Sequence, residues 1–165
     1  MRKSSALPGK FFGRIHSFKT LLLASLLFGF PGLAQSVALE GGLAYRETPS
    51  DTFESGFKVG ARVVLPAAGP VGLYVHPFLF DGFGVDLGAW YGFPTGLADL
   101  AGFHAYVGAG LSLIDGSFGV ALNGALGYDV ASNLELVLVY THRPLLYLEV
   151  SQAFDVSLGL KLKFD

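Results

Sequence analysis

The chain has 165 residues, 52% of them hydrophobic and only 15% charged, with a mean hydropathy of +0.52, whereas a soluble domain carries about 25% charged residues. Cysteine is absent, which excludes a disulfide, a thiolate metal site and a cysteine nucleophile. Five of the 11 basic residues lie within the first 19 positions, and from residue 35 on six basic residues face 13 acidic ones, a net charge of −7 that argues against a nucleic-acid partner.

The chain opens with Arg2, Lys3, Lys10, Arg14 and Lys19, followed by an apolar run from Thr20 to Phe30. That run falls short of the ~20 residues of a comfortable membrane helix. It has the order of a secretory signal, with a basic segment, an apolar segment and then small residues. Gly32 and Ala34 occupy the −3 and −1 positions of a cleavage site after Ala34. Residues 1–34 are therefore expected to be a signal peptide and 35–165 the mature domain; an uncleaved anchor helix is the alternative.

From Val37 on, apolar residues recur with period two, the signature of strands with one greasy face. The first predicted strand, Val37–Arg46, sets Leu39, Leu43 and Tyr45 opposite Glu40 and Arg46. The second, Phe57–Leu65, sets Phe57, Val59, Ala61, Val63 and Leu65 opposite Lys58 and Arg62. Val71–Phe80 is apolar on both faces and its parity is open. Phe83–Phe93 sets Val85, Leu87 and Ala89 opposite Asp86 and Trp90. Phe103–Leu113, Phe118–Tyr128, Leu134–Tyr140 and Phe154–Phe164 complete eight strands, the last three carrying Asn123, Glu135 and the Lys161–Lys163 pair on the polar parity. Breakers are read at Thr48–Asp51, Pro66–Pro70, Asp81–Gly82, Pro94–Gly96, Asp115–Gly116, Ala131–Asn133 and Arg143–Pro144.

Eight strands in 131 residues allow about 16 residues per strand and connection, enough for membrane strands of roughly 9–11 residues. The polar parity is mostly glycine, alanine and aromatic residues, with scattered single charges. That makes a poor water-facing surface but a good filling for a narrow lumen, where glycines leave room for Tyr74, Trp90 and Tyr106. Aromatics on the greasy parity gather near strand ends: Tyr45, Phe57, Phe83, Tyr91, Phe93, Phe103, Phe118, Tyr128, Tyr140, Phe154 and Phe164. Two such girdles around an aliphatic band are the lipid-facing pattern of a membrane barrel. The expected fold is all-β: an eight-stranded antiparallel up-and-down transmembrane β-barrel.

On this pattern, residues 35–165 resemble the small outer-membrane barrels of the OmpA/OmpX type. The stretch Leu126–Leu136, turning at Ala131-Ser132-Asn133, is similar to their tight periplasmic turns. The ending Leu160-Lys161-Leu162-Lys163-Phe164 is similar to their C-terminal assembly signal, although Asp165 follows the aromatic residue. The resemblance implies outer-membrane location, membrane lipids and the assembly machinery as partners, and periplasmic chain ends. Outer loops would then lie near Glu47–Gly56, Asp81–Gly82, Ile114–Ser117 and Arg143–Ala153.

The candidate site is a lumen charge network of Glu40, Arg46, Lys58, Arg62, Asp86, Glu135, Lys161 and Lys163, with Arg46, Arg62 and Lys161 expected to pair with Glu40, Asp86 and Glu135. Buried charges must be paired to be tolerated, so the network is read as a plug, and a narrow pore is the alternative. His76 shares the lumen with His104 if the open parity of Val71–Phe80 turns it inward, but no metal-ligand spacing is present, and no cofactor or metal is expected. The enzyme alternative is a rim lipid hydrolase built from His142, Ser151 and Glu149 or Asp155, although Ser151 has the parity opposite to the lipid face. The reading adopted is a non-enzymatic barrel with a structural or surface-interaction role.

Overall fold

The structure, a computed structural model, describes residues 34–47, 52–80, 82–93, 102–146 and 152–164. Apart from Ala34, the expected signal peptide lies outside these residues, as do Glu149, Ser151 and most of the Pro94–Gly102 connection.

Eight strands follow one another: β1 Ser36–Glu47, β2 Phe53–Ala68, β3 Val71–Leu79, β4 Phe83–Gly92, β5 Phe103–Ile114, β6 Ser117–Ala131, β7 Leu134–Pro144 and β8 Gln152–Lys163. Each pairs antiparallel with the next, and β8 closes on β1, giving an up-and-down barrel with no free sheet edge along its wall. Gln35 and Phe164 lie at what is here termed the basal end, and Glu47 and Gln152 at the distal end. The distal Asp115-Gly116 hairpin has positive φ at both residues, +46° and +87°, as a two-residue turn matching strand twist requires.

The barrel is inverted relative to a soluble protein. Leu39, Leu43, Leu73, Leu87, Leu111, Leu126, Leu138 and Leu158 are exposed on the outer surface, while Lys58, Asp86, Glu135 and Asp155 are wholly buried inside. In a bilayer the outer leucines meet acyl chains, and the closed ladder pairs the backbone of the wall strand to strand. This is the architecture of a transmembrane barrel.

Several strands run further than the breaker residues suggested, because each proline falls where no ladder bond is needed. β2 continues through Pro66 to Ala68, beyond the last β1 pair at Ser36–Val64. Pro77 lies inside β3 at a point where the β2 register skips from Gly60 to Val63. Arg143 and Pro144 are strand residues of β7, not a breaker: their pairing with β8 continues to Gln152, while the β6 ladder breaks off after His142 and resumes only at the Gly119–Leu145 bridge. The parity left open for β3 resolves with Tyr74, His76 and Phe78 inward and Leu73 outward.

Candidate functional site: the barrel interior

The interior is layered. At the distal end Ala44, Phe78, Phe80, Ile114, Leu145 and Ala153 form one apolar cluster. Beneath it lies an ionic belt. A second apolar layer follows, made of Ala38, Val64, Tyr74, Trp90, Ala125, Val137 and Val139 with Tyr106 packed against it. A second charged group lies below, at the basal mouth.

Within the belt, Arg62 Nε donates to Glu40 Oε1 at 2.8 Å. Lys58 Nζ lies 2.5 Å from Asp155 Oδ1. Arg143 reaches Asp86 at 2.7 Å through Nη2 and also pairs with Asp155. Among the described residues, three cations and three carboxylates thus interlock across the lumen, all nearly inaccessible to solvent. Neutral donors complete the carboxylates' valence: Ser112 Oγ donates to Asp86 at 2.7 Å and Ser157 Oγ to Asp155 at 3.1 Å. Such completion matters because a buried ion pair offsets its desolvation only when the remaining lone pairs are satisfied. Arg62 also lies 4.5 Å from the Trp90 ring centroid, and Arg143 the same distance from that of Phe78, so aromatic faces cover the guanidinium planes.

His76 is wholly buried within the belt. Its Nδ1 is 3.2 Å from Asp86 Oδ2. Its Nε2 is 3.3 Å from Glu40 Oε2 but out of line for a hydrogen bond. Beside it, Asn123 donates to Tyr74 Oη at 2.8 Å and accepts from Thr141 Oγ1 at 3.0 Å.

At the basal mouth, Glu135 accepts from Tyr106 Oη at 3.0 Å and Lys161 Nζ at 3.2 Å, and Lys163 Nζ stands 3.3 Å away. Lys163 also meets Asp129 at 2.5 Å, and His104 Nε2 lies 2.8 Å from the same carboxylate. A cavity of about 340 Å³ opens here, lined in part by Trp90, Tyr106, Lys161 and Lys163. Further in, at the level of Glu40, Arg62, Trp90 and Val139, the void falls to about 10 Å³.

The eight network residues read from the sequence are thus divided among three groups. Glu40, Lys58, Arg62 and Asp86 meet in the belt. Glu135, Lys161 and Lys163 meet at the basal mouth. Arg46 joins neither: it pairs with Glu54 at 2.6 Å and Asp115 at 3.5 Å at the distal rim. The expected partner of Asp86 is instead Arg143, which sequence reading had assigned to a turn because Pro144 follows it. Its parity with Glu135 was the available signal. Asp155, on the polar parity of the last strand but left out of the expected network, is likewise a belt residue, as is His76.

The outer-face aromatics fall into two sets. Tyr45, Phe57, Phe83, Phe118, Tyr140 and Phe154 stand toward the distal end, and Tyr91, Phe93, Phe103, Tyr128 and Phe164 toward the basal end. Neighbours meet across strands: Tyr45 stacks on Phe154 at 5.1 Å between centroids, and Phe103 packs tilted against Tyr128 at 4.9 Å. Within the rim grouping, His142 pairs in register with Phe154 on the outer face, whereas Asp155 is buried in the lumen. The barrel wall separates the two. No group of His, Asp and Glu with metal-binding geometry occurs among the described residues.

No protein-family model and no curated protein sequence matches the chain. Solved structures do. The Neisserial surface protein A is similar with a TM-score of 0.65 at 17% identity, covering 78% of this chain and 96% of that one. The N-terminal β-barrel domain of Pseudomonas aeruginosa OprF gives a TM-score of 0.59 at 19% identity, over 80% of this chain and 99% of that domain. A de novo designed transmembrane β-barrel gives 0.52 at 15% identity, over 79% and 97%. In fold the chain is a small eight-stranded transmembrane β-barrel of the kind found in outer membranes, as the resemblance read from its sequence implied.

Proposed function

We propose that the protein is a non-enzymatic β-barrel of a diderm bacterial outer membrane, with a structural or surface-interaction role and a lumen closed by its own side chains. The observation that carries the reading is the ionic belt, in which Arg62, Lys58 and Arg143 are each committed to buried carboxylates. A conducting pore needs water along its axis, and the void bordered by Glu40, Arg62 and Trp90, about 10 Å³, is about the least that holds one water molecule. The aliphatic outer face between two aromatic sets supports membrane lipids as its surroundings. On this reading the basal end is periplasmic, residues 1–34 are removed during export, and the C-terminal strand is what the assembly machinery reads. The distal rim faces outward and meets the external partner.

Outer-membrane fractionation with heat-modifiable gel migration tests the location. Planar-bilayer recording tests closure: the wild-type barrel is expected to give no steady current, and discrete wild-type channels would overturn the closed lumen. Lipid hydrolysis by the refolded barrel, abolished by His142→Ala, would overturn the non-enzymatic role.

A further inference from the structure

The basal mouth holds a cavity that the ionic belt does not use. Its volume, about 340 Å³, falls near the lower end of the roughly 300–1,000 Å³ of small-molecule sites. Two inward glycines keep it open. Gly72 on β3 is in register with Trp90, and Gly92 on β4 with Tyr106. A Cβ on Gly72 would meet Val64 at 2.5 Å, and one on Gly92 would meet the Tyr106 ring at 3.3 Å. Both glycines line the cavity, so a larger side chain at either would take up its volume.

The wall combines two chemistries. Part of it is apolar, made by Val64 and by the rings of Trp90 and Tyr106, which stack at 5.5 Å between centroids. The rest is a set of donors. Lys161 and Lys163 share the inward parity of β8, and Ser36 stands in register with Lys163. An ammonium group has three N–H donors. Lys161 gives one to Glu135 and holds its Nζ 4.0 Å from the Tyr106 centroid. Lys163 uses at most two, on Asp129 and Glu135. Each lysine thus keeps at least one donor uncommitted among the described residues. The lining includes no carboxylate among these residues, and Glu135, which pairs with both lysines, is wholly buried.

We propose that the basal cavity binds a small amphiphilic anion, with its carboxylate held by Lys161 and Lys163 and its apolar body against Val64, Trp90 and Tyr106. Hydrogen bonds from ammonium to carboxylate are charge-assisted and stronger than neutral ones, and a partly buried pair is screened less by salt than an exposed one. Further in, the void bordered by Glu40 and Arg62 is only about 10 Å³. The ligand therefore stops at the mouth, and the site is a blind pocket. With the basal end periplasmic, as proposed above, the ligand comes from the periplasm.

The test uses the full, isotope-labelled barrel in maltoside micelles. Trp90 is the one tryptophan of the chain, so its indole N–H gives a single nuclear magnetic resonance signal to follow. Hexanoate is expected to shift that signal saturably. Hexanamide, of the same shape without the charge, should bind at least tenfold more weakly. Lys163→Gln should weaken hexanoate binding about tenfold, as the loss of one charge-assisted hydrogen bond predicts. That substitution leaves Glu135 paired with Lys161, and heat-modifiable migration verifies its fold. Gly92→Leu, verified in the same way, should abolish the saturable shift by filling the cavity. Equal affinity for hexanoate and hexanamide would reduce the site to an apolar crevice and overturn the proposal. So would unchanged binding by Lys163→Gln, or no saturable shift in the folded wild-type barrel. The same shift in a folded Gly92→Leu barrel would trace the effect to the micelle and overturn it too. Inorganic phosphate bound as tightly as hexanoate would deny the apolar body its part, with the same consequence. Failure of the outer-membrane fractionation would bear on which compartment supplies the ligand and not on the pocket.

Discussion

Arg143 on β7 and Asp86 on β4 meet across the barrel interior, with Nη2 2.7 Å from Oδ2 and both side chains almost wholly buried. No local element brings them together, since 57 residues separate them. Removing one partner strands the other charge in a dry interior. Asp86→Ala is therefore expected to destabilise the barrel by about 3–5 kcal/mol, measured by urea unfolding in micelles. Pairing Asp86→Leu with Arg143→Met should cost less than the sum of the single changes, because Asp155 keeps Lys58.

Leu122 is exposed on the outer face, in register with Ala109 and His142. Leu122→Arg places a charge against lipid, at a cost of order 2–4 kcal/mol near the midplane and less toward an interface. Folding yield into vesicles should fall accordingly. A yield equal to wild type would contradict the outward orientation of this parity.

Gly88 and Gly110 are in register on β4 and β5, and their backbones approach closely. A Cβ on Gly110 would lie 2.6 Å from the Gly88 Cα, so the strand must shift to admit one. Gly110→Ala should cost roughly 1–3 kcal/mol, in the range of overpacking. Gly124→Ala is the control, since no atom lies within 4 Å of a Cβ there. The two unfolding midpoints, compared in the same detergent, give the difference.

Export should leave Gln35 as the first residue. N-terminal sequencing of protein extracted from outer membranes provides the measurement. A chain that still carries Leu21–Phe30 would establish an anchor in place of a signal peptide.

Period-two alternation was enough to identify strands, their number and, in seven of eight cases, the face each residue takes. This follows because one face of a membrane strand must be apolar along its length, and that demand is written residue by residue. β3 was ambiguous because its inward face carries Tyr74 and Phe78, as apolar as Leu73 and Val75 outside. Arg143 was hidden by its neighbour: Pro144 reads as a breaker until the register shows that its missing N–H falls in a gap of the β6 ladder, between His142 and the Gly119–Leu145 bridge. The sequence by itself thus determined the inverted barrel and most of the charges inside it, but not Arg143. Only the tertiary structure decided their pairing, placing Arg46 with Glu54 and Asp86 with Arg143. Parity orients a side chain, but its depth in the lumen depends on how far each strand is staggered against the next. That stagger accumulates around the closed sheet, so no single strand encodes it.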